Sequence, residues 1–200
     1  MKRRTRKGEA LFCLGALMIA AALGLALYNL SRQAAAGKSS ESGLRKLTET
    51  VAERRTEQAA AEKELYPNLE MPVVTIDGYD YIGWIELPAL ELTLPVMSEW
   101  DAARLKIAPC RYSGSVYSGD LVIAAHNYAS HFGRLSALSP GDEVIFTDAD
   151  GREFRYAVAD AEILPPTAVE EMTAGEWPLT LFTCTYGGRT RLTIRCDEMK

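Results

Sequence analysis

Histidine is scarce in this sequence, with two residues in 200, and cysteine is limited to four. His126 and His131 are five positions apart, which does not suit a pair of metal ligands on one helical face. No cysteine or carboxylate residue is adjacent to either histidine to complete a metal site. We therefore expect no bound metal and no cofactor. No internal repeat is visible either, which excludes a repeat array.

Positive charge is lacking in most of the chain. The formal net charge is −5. The first nine residues carry +4, from five basic residues and one acidic residue, so the rest of the chain carries −9. An acidic body of this kind excludes general nucleic-acid binding. The basic tip, residues 1–9, is typical of the cytoplasmic edge of a membrane anchor.

Residues 10–30 form the one long apolar run and contain no charged residue. About 20 apolar residues in a helix cross the bilayer core. We expect a transmembrane anchor over 10–30 with a cytoplasmic N-terminus, which places the following chain outside the cell. The alternative is a signal peptide cleaved near Ala34–Ala36, although the run is long for one. Both interpretations export the remaining chain.

Residues 31–70 are expected to be a linker and a helical stalk. Residues 37–43 have the Gly/Ser-rich composition of a flexible spacer. Residues 44–65 are rich in Glu, Arg, Ala and Gln, which favour helix. We expect this helix to be solvated on all sides, because Arg54, Arg55 and Gln58 interrupt its apolar face. The alternative is a helix packed on the side of the following domain.

Residues 71–200 are long enough for one hydrophobic core and have mainly a strand pattern. Seven or eight short strands separated by turn residues predict a closed or nearly closed β-barrel. Short helices are expected at 98–105 and 132–138, and a proline-containing loop at 161–178. Strands are expected at 81–87, 92–96, 121–125, 143–147, 153–159, 179–184 and 191–195.

Three residue types that support covalent catalysis fall at predicted strand ends. Cys184 ends one strand and His126 follows another, so a thiol and its base could meet there. A cysteine at this position could equally be a buried structural residue. His131 competes with His126, but it lies in a polar loop, and a catalytic base needs a rigid support. A nearby cation would favour the thiolate; the candidates are Arg189, Arg191 and Arg195.

The remaining cysteines have structural interpretations. Cys110 and Cys196 belong to the exported part of the chain, where disulfides form. They could pair and leave Cys184 free, or they could be two unpaired small hydrophobic residues. Cys13 lies in the apolar run and is interpreted as packing there.

These motifs resemble the sortase family. The sequence Thr180-Leu-Phe-Thr-Cys184, followed by Arg191-Leu-Thr-Ile-Arg195, is similar to the sortase signature of T-L-x-T-C and a downstream Arg. The run 121–126 resembles the strand that ends in the sortase histidine. The resemblance implies an eight-stranded barrel with Cys184 as nucleophile, His126 as acid and base, and Arg191 as oxyanion or substrate clamp. It also assigns Thr183 to substrate binding.

The implied function is a cysteine transpeptidase of the Gram-positive cell surface. It would cleave an LPxTG-like sorting signal of surface proteins and transfer the product to an amine of a peptidoglycan precursor or a pilin. The chain departs from the family pattern at Ala125, where Gly is common, and it lacks a long helix in 161–178 and a lid motif. We expect a class B- or D-like member. The alternatives are an L,D-transpeptidase, whose Ser-His-Gly-Cys core is absent, and a non-catalytic membrane-tethered binding module.

Overall fold

In the part of the chain that the structure describes, nine strands form one continuous sheet. The computed structural model describes residues 6–58 and 70–199, so part of the predicted basic tip and the end of the predicted stalk lie outside the described residues. The strands are β1 (Val74–Ile76), β2 (Tyr79–Leu87), β3 (Leu92–Met97), β4 (Cys110–Ser113), β5 (Leu121–Ala125), β6 (Glu143–Asp148), β7 (Glu153–Leu164), β8 (Leu179–Cys184) and β9 (Arg191–Glu198). Two α-helices accompany them, α1 (Arg6–Gln58) and α2 (Val169–Thr173).

Eight of these strands close into a barrel. The sheet order is β1-β2-β3-β4-β5-β8-β9-β7-β6, and β2 also pairs with β6. The ring therefore contains β2 to β9, and β1 is an extra hairpin strand on β2. The mainly-β, closed eight-stranded barrel expected from the sequence is confirmed.

The barrel closes at a position that only glycine can occupy. Gly83 of β2 pairs with both Val96 and Asp148 and has a φ of +144°. A Cβ atom at this position would lie 1.9 Å from the carbonyl oxygen of Thr147. The absence of a side chain thus allows β2 and β6 to approach closely enough to close the barrel.

The predicted strands are all present, and two further short strands, β1 and β4, were not predicted. Strand β7 extends to Leu164, which shortens the expected loop. The expected helix at 98–105 is wrong: the segment contains only a 3₁₀ turn, Arg104–Lys106. The Asp101 carboxylate accepts hydrogen bonds from the backbone amides of Ala103 and Arg104, which favours a local turn over a longer helix. The second expected helix is a 3₁₀ helix, Phe132–Ala137.

Alternating strand positions fill the barrel interior. Apolar side chains from all eight ring strands except β4 form the main core, together with those of the 3₁₀ helix Phe132–Ala137. Fully burying one Leu, Ile or Phe side chain contributes roughly 1.5–3 kcal/mol. The largest side chains of this core with no more than 2% exposure include Phe132, Phe146, Ile82, Ile85, Leu87, Leu90, Leu121, Ile123, Leu135 and Leu179.

The first of the two compact units of the chain ends at Ala35. Its described part is helical, and the apolar side chains from Phe12 to Leu30 are exposed. Among the described residues, one helix, Phe12–Arg54, is long and apolar enough to cross a membrane. Length and composition therefore agree with the expected anchor.

The second unit begins at Ala36 and contains the C-terminal half of α1 as well as the barrel. Residues 37–43 are helical, so the expected flexible spacer is wrong. The helix is also not solvated on all sides. Leu47 and Val51 pack with Val74, Tyr81, Met97 and other residues in a second apolar cluster. The buried residues of this helical face are Ala36, Ser40, Gly43, Leu47 and Val51.

These buried positions are three or four residues apart, as one helical face requires. Three of the five are Ala, Ser and Gly. Small side chains let a helix approach a sheet closely, but they give little hydrophobic signal in the sequence. The alternative of a helix packed on the domain therefore holds for 36–51. Lys46, which pairs with Asp77, further fixes this part of α1 to the β1–β2 hairpin.

Candidate active site

Cys184 is the last residue of β8, and its side chain is partly exposed. Strand β8 is central in this part of the barrel, with β5 parallel on one side and β9 antiparallel on the other. Side chains two residues apart in a strand share a face. Cys184 therefore shares the outer face of the barrel with Phe182 and Thr180, and it is the member of this row nearest the strand end.

His126 follows the last residue of β5 at the same end of the barrel. Ala125 pairs in parallel with Thr183, so His126 and Cys184 are the next residues on the two neighbouring strands. Adjacent strands are about 4.8 Å apart. His126 continues the row of Ala124, the partner of Phe182, and its side chain is partly exposed. The strand register therefore brings the imidazole and the thiol together on one face.

Arg191 opens β9 directly opposite Cys184, its cross-strand partner. Its Nη1 atom donates hydrogen bonds to the carbonyl oxygens of Gly188, at 3.1 Å, and Thr190, at 3.2 Å. The turn between β8 and β9 thus holds the guanidinium beside the end of β8. A guanidinium in this position can donate hydrogen bonds to an oxygen atom of a bound acyl group.

The other two arginine candidates have different environments. Arg189 is exposed in the turn. Arg195 is only 5% exposed and binds four groups: the Glu162 carboxylate, the Thr180 hydroxyl and the carbonyl oxygens of Glu171 and Met172. The geometry therefore favours Arg191 as the arginine of the site, and it gives Arg195 a structural role that the sequence did not reveal.

The second histidine is enclosed in the protein. His131 is fully buried, and its Nε2 atom lies 3.2 Å from the hydroxyl of Ser40 in α1. Burial, and to a lesser extent the nearby His126, lower the pKa of His131 to about 4 against the opposing effect of the Ala36 carbonyl. His131 cannot reach a substrate from this position.

Thr183 precedes Cys184 but lies on the opposite face of the strand. Its side chain is buried, and its hydroxyl donates a 2.8 Å hydrogen bond to the carbonyl oxygen of Ala125. This bond joins β8 to β5 directly before the thiol and the imidazole. The structure thus gives Thr183 a contact that fixes the two strands, and its assignment to substrate binding stays a prediction.

The two other barrel cysteines are unsuited to catalysis. Cys110 and Cys196 are fully buried and unpaired. Burial raises the pKa of each thiol to about 12. Of the two alternatives left open by the sequence, the structure shows two free buried thiols.

An apolar strip continues from the thiol along the outer face of β5 and β8. Val122, Ala124, Phe182 and Met172 form a third apolar cluster. Met172 belongs to α2, in the loop before β8, so this loop packs onto the strip. Partly buried side chains of Leu105, Tyr112 and Leu164 border it. The four members are no more than 9% exposed, so the loop of α2 and these neighbours cover the strip beside Cys184.

Within the part of the chain that the structure describes, no group of three or more His, Cys, Asp or Glu residues is placed to hold a metal ion. The residues at the site offer a thiol, an imidazole and a guanidinium. These groups suit acyl transfer through a covalent thioester.

A model of the sortase domain matches residues 85–199 of the chain, which include Cys184, His126 and Arg191. The chain belongs to the sortase family. Sortases are cysteine transpeptidases that act on surface proteins and pilins with sorting signals. This membership decides against the L,D-transpeptidase alternative. No sequence among the curated proteins matches the chain.

Solved sortase structures share the fold. Sortase C1 from Streptococcus suis is 25% identical with a TM-score of 0.52, and the match covers 60% of this chain and 73% of that one. Sortase C from Streptococcus pneumoniae is 21% identical with a TM-score of 0.59, covering 80% and 97%. The sortase D5 transpeptidase from Clostridium perfringens is 16% identical with a TM-score of 0.61, covering 82% and 99%. The class B- or D-like subclass stays a prediction.

Proposed function

We propose that this sortase is a membrane-anchored transpeptidase that cleaves an LPxTG-like sorting signal and joins the product to an amine of the cell wall or of a pilin. One observation carries the proposal: the register of β5, β8 and β9 brings His126 and Arg191 to either side of Cys184. The structure of the pneumococcal sortase C bears on pilin substrate specificity, and this likeness supports pilins among the substrates.

The first step forms a thioester. The Cys184 thiolate attacks the carbonyl carbon of the Thr–Gly peptide bond, and the tetrahedral intermediate carries a negative oxygen. Arg191 donates hydrogen bonds to that oxygen; one such donor accelerates comparable reactions by about 10²–10³. The C–N bond then breaks, and His126 gives its proton to the leaving glycine amine.

The second step transfers the acyl group. An acceptor amine attacks the thioester carbonyl, and His126 takes the proton that the amine loses. The C–S bond breaks, the thiolate of Cys184 returns, and a new amide bond joins the substrate to the acceptor. Splitting one amide exchange in this way gives each half a lower barrier.

The N-terminal helix supplies the proposed location. The basic residues before the apolar run favour a cytoplasmic N-terminus, and the barrel would then lie outside the cell. Export brings the site to its proposed partners, which are surface proteins with a sorting signal and an amine acceptor. Protease added to intact cells should digest the barrel if this orientation is correct, and protection of the barrel would contradict it.

The catalytic test uses the full chain in detergent with an LPxTG-type peptide and triglycine. Mass spectrometry should detect the ligated peptide, and Cys184→Ala should abolish it. His126→Ala should also be inactive. Ligation by Cys184→Ala, or full activity of His126→Ala, would refute the assignment. A folded wild-type chain whose Cys184 resists alkylation would instead favour the non-catalytic binding module.

A further inference from the structure

The segment that follows His126 is held by hydrogen bonds within residues 126–133. The Tyr128 carbonyl accepts bonds from the amides of His131 and Gly133, both at 2.9 Å. The His126 carbonyl accepts a 3.2 Å bond from the amide of Phe132, which is fully buried. This segment, which we name the histidine loop, thus fixes the backbone of His126 through its own fold and the barrel core.

Ring contacts connect the two histidines of this loop. The Tyr128 ring lies 4.8 Å from the His126 ring and 5.6 Å from the His131 ring, measured between centroids. Tyr128 therefore contacts the partly exposed imidazole on one side and the buried one on the other. A displacement of His131 would reach His126 through Tyr128 as well as through the backbone.

Helix α1 contacts this loop directly. A Cβ atom at Gly37 would lie 3.2 Å from the Cβ of Ser130, so the helix and the loop are in close contact. The buried Ser40 hydroxyl donates a 3.0 Å hydrogen bond to the carbonyl oxygen of Ile107 and lies 3.2 Å from Nε2 of His131. These residues all belong to the unit that starts at Ala36.

The Ser40 hydroxyl lies between a backbone carbonyl and the imidazole. A serine hydroxyl has one hydrogen, and Ser40 directs it to the carbonyl oxygen of Ile107. The hydroxyl oxygen can then accept a hydrogen bond from Nε2 of His131. Burial and the nearby His126 hold the pKa of His131 at about 4, so the ring is neutral at neutral pH.

We propose that Ser40 and His131 are positioning residues, through which helix α1 holds the histidine loop and sets the orientation of the His126 imidazole toward Cys184. This inference rests on the proposed function, in which His126 transfers protons at the site. It makes the C-terminal half of α1 part of the active-site framework. The membrane-proximal helix thereby acts on the chemistry, in addition to carrying the barrel.

The test uses two readouts on the full chain in detergent. The first is the rate of Cys184 alkylation by iodoacetamide as a function of pH, which needs no substrate. An imidazole beside a thiol alters the pH dependence of thiolate reactivity. The variant His126→Ala therefore gives the alkylation profile of Cys184 without its imidazole partner. The second readout is ligation of an LPxTG-type peptide to triglycine, with kcat and KM measured separately.

Ser40→Ala should shift the alkylation profile toward that of His126→Ala and lower kcat about ten- to a hundredfold, with little change in KM. Ser40→Thr keeps the hydroxyl and should restore both readouts. His131→Gln keeps a donor near the Nε2 position and should be affected less than His131→Phe. Ser39→Ala is the matched control, because Ser39 is the exposed neighbour in the same helix, and it should overlay the wild type.

The two readouts separate the possible failures. If Ser40→Ala overlays the wild type in both readouts, or only lowers Tm, the proposal is overturned. If the wild type ligates no peptide but Ser40→Ala still shifts the alkylation profile, the proposed function fails and the positioning role stands. If His126→Ala itself leaves the profile unchanged, no thiol–imidazole pair exists and both proposals fail.

Discussion

Replacing Arg195 with methionine tests how helix α2 is held against the outer face of the barrel. Arg195 is 5% exposed, and its guanidinium joins β9 to three other elements. Its Nε donates to Glu162 of β7 at 2.6 Å, and Nη1 donates to Thr180 of β8 at 3.0 Å. The remaining donors bind the carbonyls of Glu171, at 2.7 Å, and Met172, at 3.4 Å, both in α2.

These contacts determine how much stability Arg195→Met should lose. Removing one partner of a buried ion pair costs about 3–5 kcal/mol. Glu162 is 37% exposed and can regain water, which lowers the expected loss to about 2–3 kcal/mol. Helix α2 would also lose the donors to its last carbonyls, which a five-residue helix cannot replace internally. We therefore expect the loop of α2 to detach from the apolar strip more readily and to become more sensitive to protease.

Urea unfolding of the full chain measures the first effect, and limited proteolysis of the loop at 165–178 measures the second. Arg155→Met is the matched control. Arg155 also pairs with two carboxylates on the sheet but is 51% exposed, so its loss should cost much less than the loss of Arg195. The reasoning is refuted if the two variants lose equal stability, or if Arg195→Met leaves proteolysis of the loop unchanged.

Three further predictions concern the barrel and its titrating groups. Gly83→Ala should lower the free energy of unfolding, measured by chemical denaturation, by more than about 3 kcal/mol, since a Cβ would meet the Thr147 carbonyl. The control is Gly141→Ala, where φ is +94° but no atom lies near the added Cβ, so only about 1 kcal/mol of backbone strain is expected. Equal losses in the two variants would contradict the close approach of β2 and β6 at Gly83. Alkylation of the native chain, mapped by mass spectrometry, should modify Cys184 and spare the two buried barrel cysteines until urea is added; modification of those thiols in the native state would contradict their raised pKa. The pKa of His131 is about 4 in the folded chain, against an ordinary value of 6.5. As the pH drops from about 6.5 to 4, the unfolded chain therefore binds a proton at His131 before the folded chain does. The free energy of unfolding should fall over this range by up to about 3 kcal/mol. In His131→Gln, the free energy of unfolding in urea should depend less on pH over this range than in the wild type. The same pH dependence in both would contradict a buried, neutral His131.

The positions of the thiol and the imidazole could be predicted because each lies at the end of a short, regular strand. The pattern of Leu179–Cys184 and that of Leu121–Ala125 fixed the ends of both strands to the residue. Once those ends are known, the register of a parallel pair places His126 next to Cys184. Strand periodicity places several arginines on one face, so the choice of Arg191 over Arg189 and Arg195 came from the family resemblance; in the structure Arg191 is the cross-strand partner of Cys184.

The packing of α1 could not be predicted in the same way. Its contact face begins with Ala36, Ser40 and Gly43, which carry almost no hydrophobic signal, and only Leu47 and Val51 continue it. The roles of Ser40 and His131 depend on contacts across 91 positions of sequence, and no local pattern reports such a contact. The strands β1 and β4 were missed because they contain only three or four residues each.

The proposed thioester can be detected directly as the intact mass of the full chain after brief mixing with an LPxTG-type peptide in the absence of an acceptor amine. We expect an adduct equal to the peptide fragment that ends in Thr, bound to Cys184 and released by triglycine or hydroxylamine. The adduct should be absent in Cys184→Ala and form far more slowly in Arg191→Lys than in Arg189→Lys. Cleavage of the peptide by Cys184→Ala, or equal adduct formation in the two arginine variants, would contradict the proposed mechanism.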